Sequence, residues 1–222
     1  AEGGESVQKS LLASGLIPIV LSSAREEQAS ASSTAAHVAV KVVRHLLLQG
    51  SVALTEVLDG GGLPVLLQAL RGESDEAAVN AAAAIFDMVH QGASEAIMRD
   101  GGAGALVSAI GKGGVAAEFS AAACWDLTAS GAEDILVQFA EAGALASLVH
   151  LVQKGSAKAQ INGAGALRNL GKHPANQEVI LAEGGAAALM PLLTTGDARG
   201  QQQAGGALRN LTVGSPANAL AL

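Results

Sequence analysis

Apolar blocks recur along the chain at near-constant spacing. They are Leu63-Pro64-Val65-Leu66-Leu67, Ala105-Leu106-Val107, Leu145-Ala146-Ser147-Leu148-Val149 and Leu189-Met190-Pro191-Leu192-Leu193. Each follows an acidic residue and glycines: Asp59-Gly60-Gly61, Asp100-Gly101-Gly102, Glu141-Ala142-Gly143 and Glu183-Gly184-Gly185. Counted from acid to acid (59, 100, 141, 183), the steps are 41, 41 and 42 residues. Ala13-Ser14-Gly15 fills the same slot near the N-terminus. A short helix is expected before each corner, as in Gln177–Leu181, because glycine allows the positive φ that ends a helix and turns the chain. A second helix follows, with Pro64 and Pro18 near the start, where a missing N–H costs little. Polar loops come next (Gly72-Glu73-Ser74-Asp75, Gly155-Ser156, Gly196-Asp197), and then a long Ala-rich third helix.

The third helix carries the clearest repeat. Gly165-Ala166-Leu167-Arg168-Asn169-Leu170 returns unchanged as Gly206-Ala207-Leu208-Arg209-Asn210-Leu211, 41 positions on. Weaker copies are Ala122–Leu127, Ala83–Met88 and Lys41–Leu46. A period of this length means stacked supersecondary units, each unable to bury its apolar face alone. The single domain 1–222 divides into units at about 1–50, 51–92, 93–131, 132–173 and 174–215, with the start of a sixth at 216–222. The first unit is lengthened by a Ser/Ala/Glu-rich loop around Ser22–Ser33. Pro216-Ala217-Asn218 mimics Pro174-Ala175-Asn176, and with no polar C-terminal cap in view a longer array or a partner at that end is expected.

A unit of this length, with three helices, an acidic-Gly corner and a third helix ending Gly-Ala-Leu-Arg-Asn-Leu, resembles the armadillo repeat. The resemblance is strongest over 132–215 and weakest over 1–50. HEAT repeats are the near neighbour, and the corner glycines favour armadillo. The resemblance implies an all-α, right-handed solenoid whose third helices line a concave groove. It also implies that an Asn near the end of each third helix holds the backbone of an extended peptide. Those positions are Asn169 and Asn210 here, matched by Asp126, Asp87 and His45. Asp offers acceptors only, whereas an Asn amide both donates and accepts. The nuclear-import adaptors of this family carry Trp one turn earlier. Gly206, Gly165, Ala122, Ala83 and Lys41 stand there instead, which argues against a receptor for nuclear-localisation signals. The only tryptophan, Trp125, falls on the Arg168 position, at the groove edge. Asn80, Asn162 and Gln203 lie seven residues before ladder positions, two turns back on the same face. The alternative for this stripe is that its amides satisfy backbone groups between helices.

Charge and composition narrow the partner. The net charge is −7, with −5 in the second unit and +1 in the fourth. A nucleic-acid surface needs clustered Lys and Arg, so nucleic acid is not an expected partner. No run of about 18 apolar residues is free of charge and glycine, so no membrane insertion is expected. The lone cysteine, Cys124, excludes an intrachain disulfide and fits a reducing compartment, with the cytoplasm as the default. Nuclear, ciliary and organellar homes stay open.

Catalytic and cofactor chemistry finds no support. Gly60-Gly61-Gly62 and Gly111-Lys112-Gly113-Gly114 lack the strand and spacing of a phosphate loop. His37, His45, His90, His150 and His173 show no i, i+4 metal pair beside an acid. Ser6-Val7-Gln8-Lys9 matches Ser-x-x-Lys by composition alone. No enzyme activity, cofactor or metal is expected. The expected function is a non-catalytic scaffold binding an extended segment of a partner protein. Asn169 and Asn210 would hold its backbone, Asp87 and Asp126 would favour basic side chains near the middle, and Arg168 and Arg209 acidic or polar ones toward the C-terminal end. The rival is a structural subunit of a large assembly, docked by its outer face or ends.

Overall fold

The computed structural model describes residues 33–48 and 51–213. The expectations at Ser6-Val7-Gln8-Lys9, Ala13-Ser14-Gly15, Pro18, most of the Ser22–Ser33 loop and the start of a sixth unit lie outside these residues. The described chain is all-α, with thirteen helices and no strand. They are α1 Ser33–Leu47, α2 Ser51–Asp59, α3 Gly62–Arg71, α4 Asp75–His90, α5 Ser94–Arg99, α6 Gly102–Lys112 and α7 Gly114–Leu127. The rest are α8 Glu133–Glu141, α9 Ala144–Lys154, α10 Ala157–Leu170, α11 Pro174–Ala182, α12 Gly185–Thr195 and α13 Ala198–Thr212. The chain falls into two compact units, 1–100 and 101–222.

Local chemistry explains the triplets. Gly61, Gly101, Gly143 and Gly184 all sit in the left-handed region, with φ between 75° and 83°. Each stands between a first and a second helix, where a side chain would be strained. The corners are sharp: α8 meets α9 at 75° and α11 meets α12 at 84°. The next residue has no room either. A Cβ on Gly62 would come 2.7 Å from Val57 Cγ1, and one on Gly185 would press on Ile180. The polar loops end in N-caps. Ser74 Oγ accepts from Ala77 N at 3.3 Å, Ser156 Oγ from Ala159 N at 3.2 Å and Asp197 Oδ1 from Gly200 N at 2.7 Å. Each such cap contributes about 1 kcal/mol.

In the first unit, α1 packs on α3 and α4, and α3 on α4. Ala81, Ala82, Ala83 and Ala84 are all buried, so α1 and α4 approach closely over small side chains, with Leu66, Leu67, Ile85 and Met88 filling the space. In the second unit the third helices α7, α10 and α13 pack in sequence, backed by α6, α9 and α12. Its core is built from Leu106, Ile110, Leu148, Leu167, Leu170 and Leu189, with Phe139 the largest enclosed side chain. Each enclosed Leu or Ile contributes about 1.5–3 kcal/mol. Among the described helices none is long and apolar enough to cross a membrane.

Candidate partner-binding face

The third-helix faces are best followed repeat by repeat. In the first unit, His45 is exposed near the end of α1. Its neighbour Arg44 donates from Nη1 to Asn80 Oδ1 at 2.7 Å, reaching from α1 to α4. Asn80 Nδ2 donates to Glu76 O in its own helix at 2.9 Å. Glu76 also pairs with Lys41 at 2.6 Å and with His37 at 3.2 Å, and both partners pull its carboxyl below the usual range. Asp87 is half-buried. Desolvation pushes its carboxyl pKa up, and the positive fields of Arg44 and His90 offset this only in part.

In the second unit, the same positions hold the helices to one another. Asn169 Nδ2 donates to Trp125 O at 3.0 Å and to Thr128 Oγ1 at 3.3 Å. Asn162 Nδ2 donates to Glu118 O at 3.0 Å, and Asn210 Nδ2 to Arg168 O at 2.7 Å. Arg168 Nη1 donates to Gln203 Oε1 at 3.1 Å, the counterpart of the Arg44–Asn80 bond three repeats earlier. Thr128 is enclosed and donates in turn to Cys124 O at 2.7 Å.

Two expectations need correction. The sequence places Asn169 and Gln203 on an open groove, yet they are only 6% and 4% exposed. Both amide N–H groups of Asn169 are spent on α7 and its C-cap Thr128, so its donor is closed to a peptide. The reason is geometric: the preceding helix ends at Leu127, two residues after Trp125, leaving the Trp125 carbonyl without a helical partner and within Asn169's reach. Asn210 has the same sequence environment but is half-exposed, with a single bond to Arg168 O. Asp126 and Arg209 are exposed. Trp125 and Arg168 are half-buried.

The small residues at the family's Trp positions have a physical cause. A Cβ on Gly165 would fall onto the Trp125 indole, meeting Cε3 at 2.8 Å. A Cβ on Gly206 would meet Arg168 Nε at 2.6 Å and Cδ at 2.7 Å. Trp125 and Arg168 thus reach over the next third helix, and only glycine beneath leaves room. Sequence reasoning missed Arg199, whose guanidinium carbon lies 5.0 Å from the Trp125 ring centroid. The signal was available: Arg199 stands eleven residues, three turns, before Asn210, and Lys158 holds the same register before Asn169.

Cys124 is enclosed, and burial drives its thiol pKa far up. His90 bonds the Phe86 carbonyl, His173 Nε2 lies 3.6 Å from Glu133, and no group of three or more His, Cys, Asp or Glu among the described residues could hold a metal.

The comparisons agree with this geometry. The armadillo/beta-catenin-like repeat family matches residues 173–213, the last described helix triplet. No curated protein sequence matches the chain. Among solved structures, an engineered protein is 25% identical, with a TM-score of 0.71, over 88% of this chain and 78% of its own. A designed armadillo repeat protein is 22% identical, with a TM-score of 0.74, over 92% and 85%. Another designed armadillo repeat protein, solved in complex with the peptide (KR)4, is 20% identical, with a TM-score of 0.71, over 92% and 85%. Three-helix units turned at left-handed glycines and these structural likenesses give the chain the armadillo-repeat fold, and its last described triplet matches the armadillo/beta-catenin-like repeat family.

Proposed function

We propose that the chain is a non-catalytic scaffold that binds an extended segment of a partner protein on its third-helix faces. One observation carries this reading. In the second unit each repeat keeps an outward polar or charged group on its third helix: exposed Asp126, then half-buried Arg168, then exposed Arg209 with half-exposed Asn210. An extended chain repeats its side chains and backbone groups regularly, so a regular array of donors and acceptors is its natural complement. The designed relative that holds (KR)4 supports the same use of the fold.

The roles within the stripe follow from the available atoms. Asn210 keeps a carbonyl and one N–H for a peptide backbone, whereas Asn169 acts from behind by fixing Trp125. Asp126 favours basic side chains beside it. Asp87, in the first unit, shares its field with Arg44 and contributes less than its formal charge. The rival reading, a subunit docked by its outer face or ends, draws support from Val179 and Met190, apolar side chains 45% and 46% exposed.

The test avoids Asn169, whose loss would disturb packing. A random-peptide display library panned on the whole chain yields a probe, whose affinity is then measured by fluorescence anisotropy. Asp126→Ala combined with Arg209→Ala truncates two exposed groups and should weaken binding about tenfold. Unchanged affinity with an intact fold would place binding on the outer face or ends and sink the groove reading.

A further inference from the structure

We propose that the α10–α13 part of the second unit's third-helix face selects an acidic extended segment, gripped by Lys158, Arg168, Arg199 and Arg209. This rests on the groove-binding reading above and gives the ligand there its chemistry. Helices α10 and α13 carry these four cations and no carboxylate. Among the described residues none of the four has a carboxylate within ion-pair distance. The acids nearest in sequence are occupied: Asp197 caps α13 through Gly200 N, and Glu118 accepts from Ser156 Oγ. The first unit is different, because its Lys41 and His37 share Glu76.

Two of the arginines are positioned by neutral groups. Arg168 lies over Gly206 and donates to Gln203 Oε1. Arg199 stands over Trp125. An arginine stacked on a ring or bonded to an amide keeps its full charge and several N–H donors. Its fork matches a carboxylate in two parallel bonds. Holding it in place beforehand also removes part of the ordering cost of binding. Lys158 stands at the Arg199 register one repeat earlier, and Asn162, Gly165 and Asn169 follow it as Gln203, Gly206 and Asn210 follow Arg199. The cations therefore repeat along the stripe, as the side chains of an extended acidic segment would. A long polyanion such as nucleic acid is disfavoured by the chain's net charge of −7.

The experiment uses the whole chain and four fluorescent probes of equal length: an alternating Asp/Glu octapeptide, an alternating Lys/Arg octapeptide, an alternating Gly/Ser octapeptide and an oligothymidine. Anisotropy gives affinity at low and high salt. Emission from Trp125, the only tryptophan, reports docking at this face. The acidic peptide should bind best, lose affinity in high salt and change Trp125 emission. Lys158→Glu with Arg199→Glu should weaken it by about tenfold or more, with helicity retained. Unchanged affinity in that variant, tighter binding of the neutral or basic peptide, or equal binding of oligothymidine would overturn the proposal. If display-selected peptides bind through Asp126 and Arg209 without acidic bias, this inference falls alone. If no peptide docks on the Trp125 face, the groove reading falls with it.

Discussion

Gly165→Ala is the sharpest test of how the repeats pack, because two effects of opposite sign compete. Alanine in a helix interior is favoured over glycine by about 0.8–1.0 kcal/mol. Against that, the new methyl would fall onto the Trp125 indole, meeting Cε3 at 2.8 Å. A rigid ring cannot yield as a flexible chain end does, so either the ring turns or α10 moves away from α7. Overpacking of this kind costs about 1–3 kcal/mol. Moving Trp125 also weakens its contact with Arg199, at 5.0 Å, which adds about 0.5–1 kcal/mol. The net expectation is a loss of about 1–2 kcal/mol, or a Tm lower by about 2–8 °C for a chain of this size. Gly205→Ala is the matched control. Its Cβ meets Leu193 Cδ1 at 3.5 Å, an ordinary contact, so helix propensity wins and stability rises by about 0.5–1 kcal/mol. Thermal melts by circular dichroism read both. In a Trp125→Ala background, Gly165→Ala should change sign and stabilise, a coupling visible in the double-mutant cycle. A Gly165→Ala protein as stable as wild type would refute the reasoning.

Three further outcomes follow from the same contacts. Asn169→Ala removes two donors from the Trp125 carbonyl and Thr128 hydroxyl in a buried setting and should cost about 1–3 kcal/mol in urea melts; a change under half of that would mean water replaces the amide. Asp87→Asn should raise Tm at neutral pH. The folded-state pKa of Asp87 lies above the unfolded 3.8, so ionisation works against folding as pH rises through the folded value; the gain should vanish below that reference pH, and a gain that persists there would reject desolvation as the cause. Cys124 should resist thiol reagents in native buffer and react once the second unit opens, because it is fully enclosed; prompt labelling without denaturant would contradict its place in the core.

Much of the fold was legible in the chain because the signals are local. The corner glycines demand a left-handed φ whatever surrounds them, and Gly61, Gly101, Gly143 and Gly184 adopt it. Ser74, Ser156 and Asp197 cap the helix that follows each of them using atoms three residues away. Cys124, one residue before Trp125 on an apolar register, is enclosed as that register predicts.

The candidate site was legible only in part, since exposure is set by the next repeat. Gly165–Leu170 and Gly206–Leu211 are the same hexapeptide, yet Gly165 lies under a tryptophan and Gly206 under an arginine, and Asn169 is buried where Asn210 is half-open. The sequence determined the helices, their corners, the period and the face on which the stripe lies, because each depends on residues within a few positions of one another. Only the tertiary structure decided which stripe atoms are spent between helices, that Arg199 comes over Trp125, and which cations have no ion-pair partner among the described residues. Those outcomes depend on side chains some forty to seventy residues apart, as from Trp125 to Gly165 and Arg199, and are brought together only by stacking.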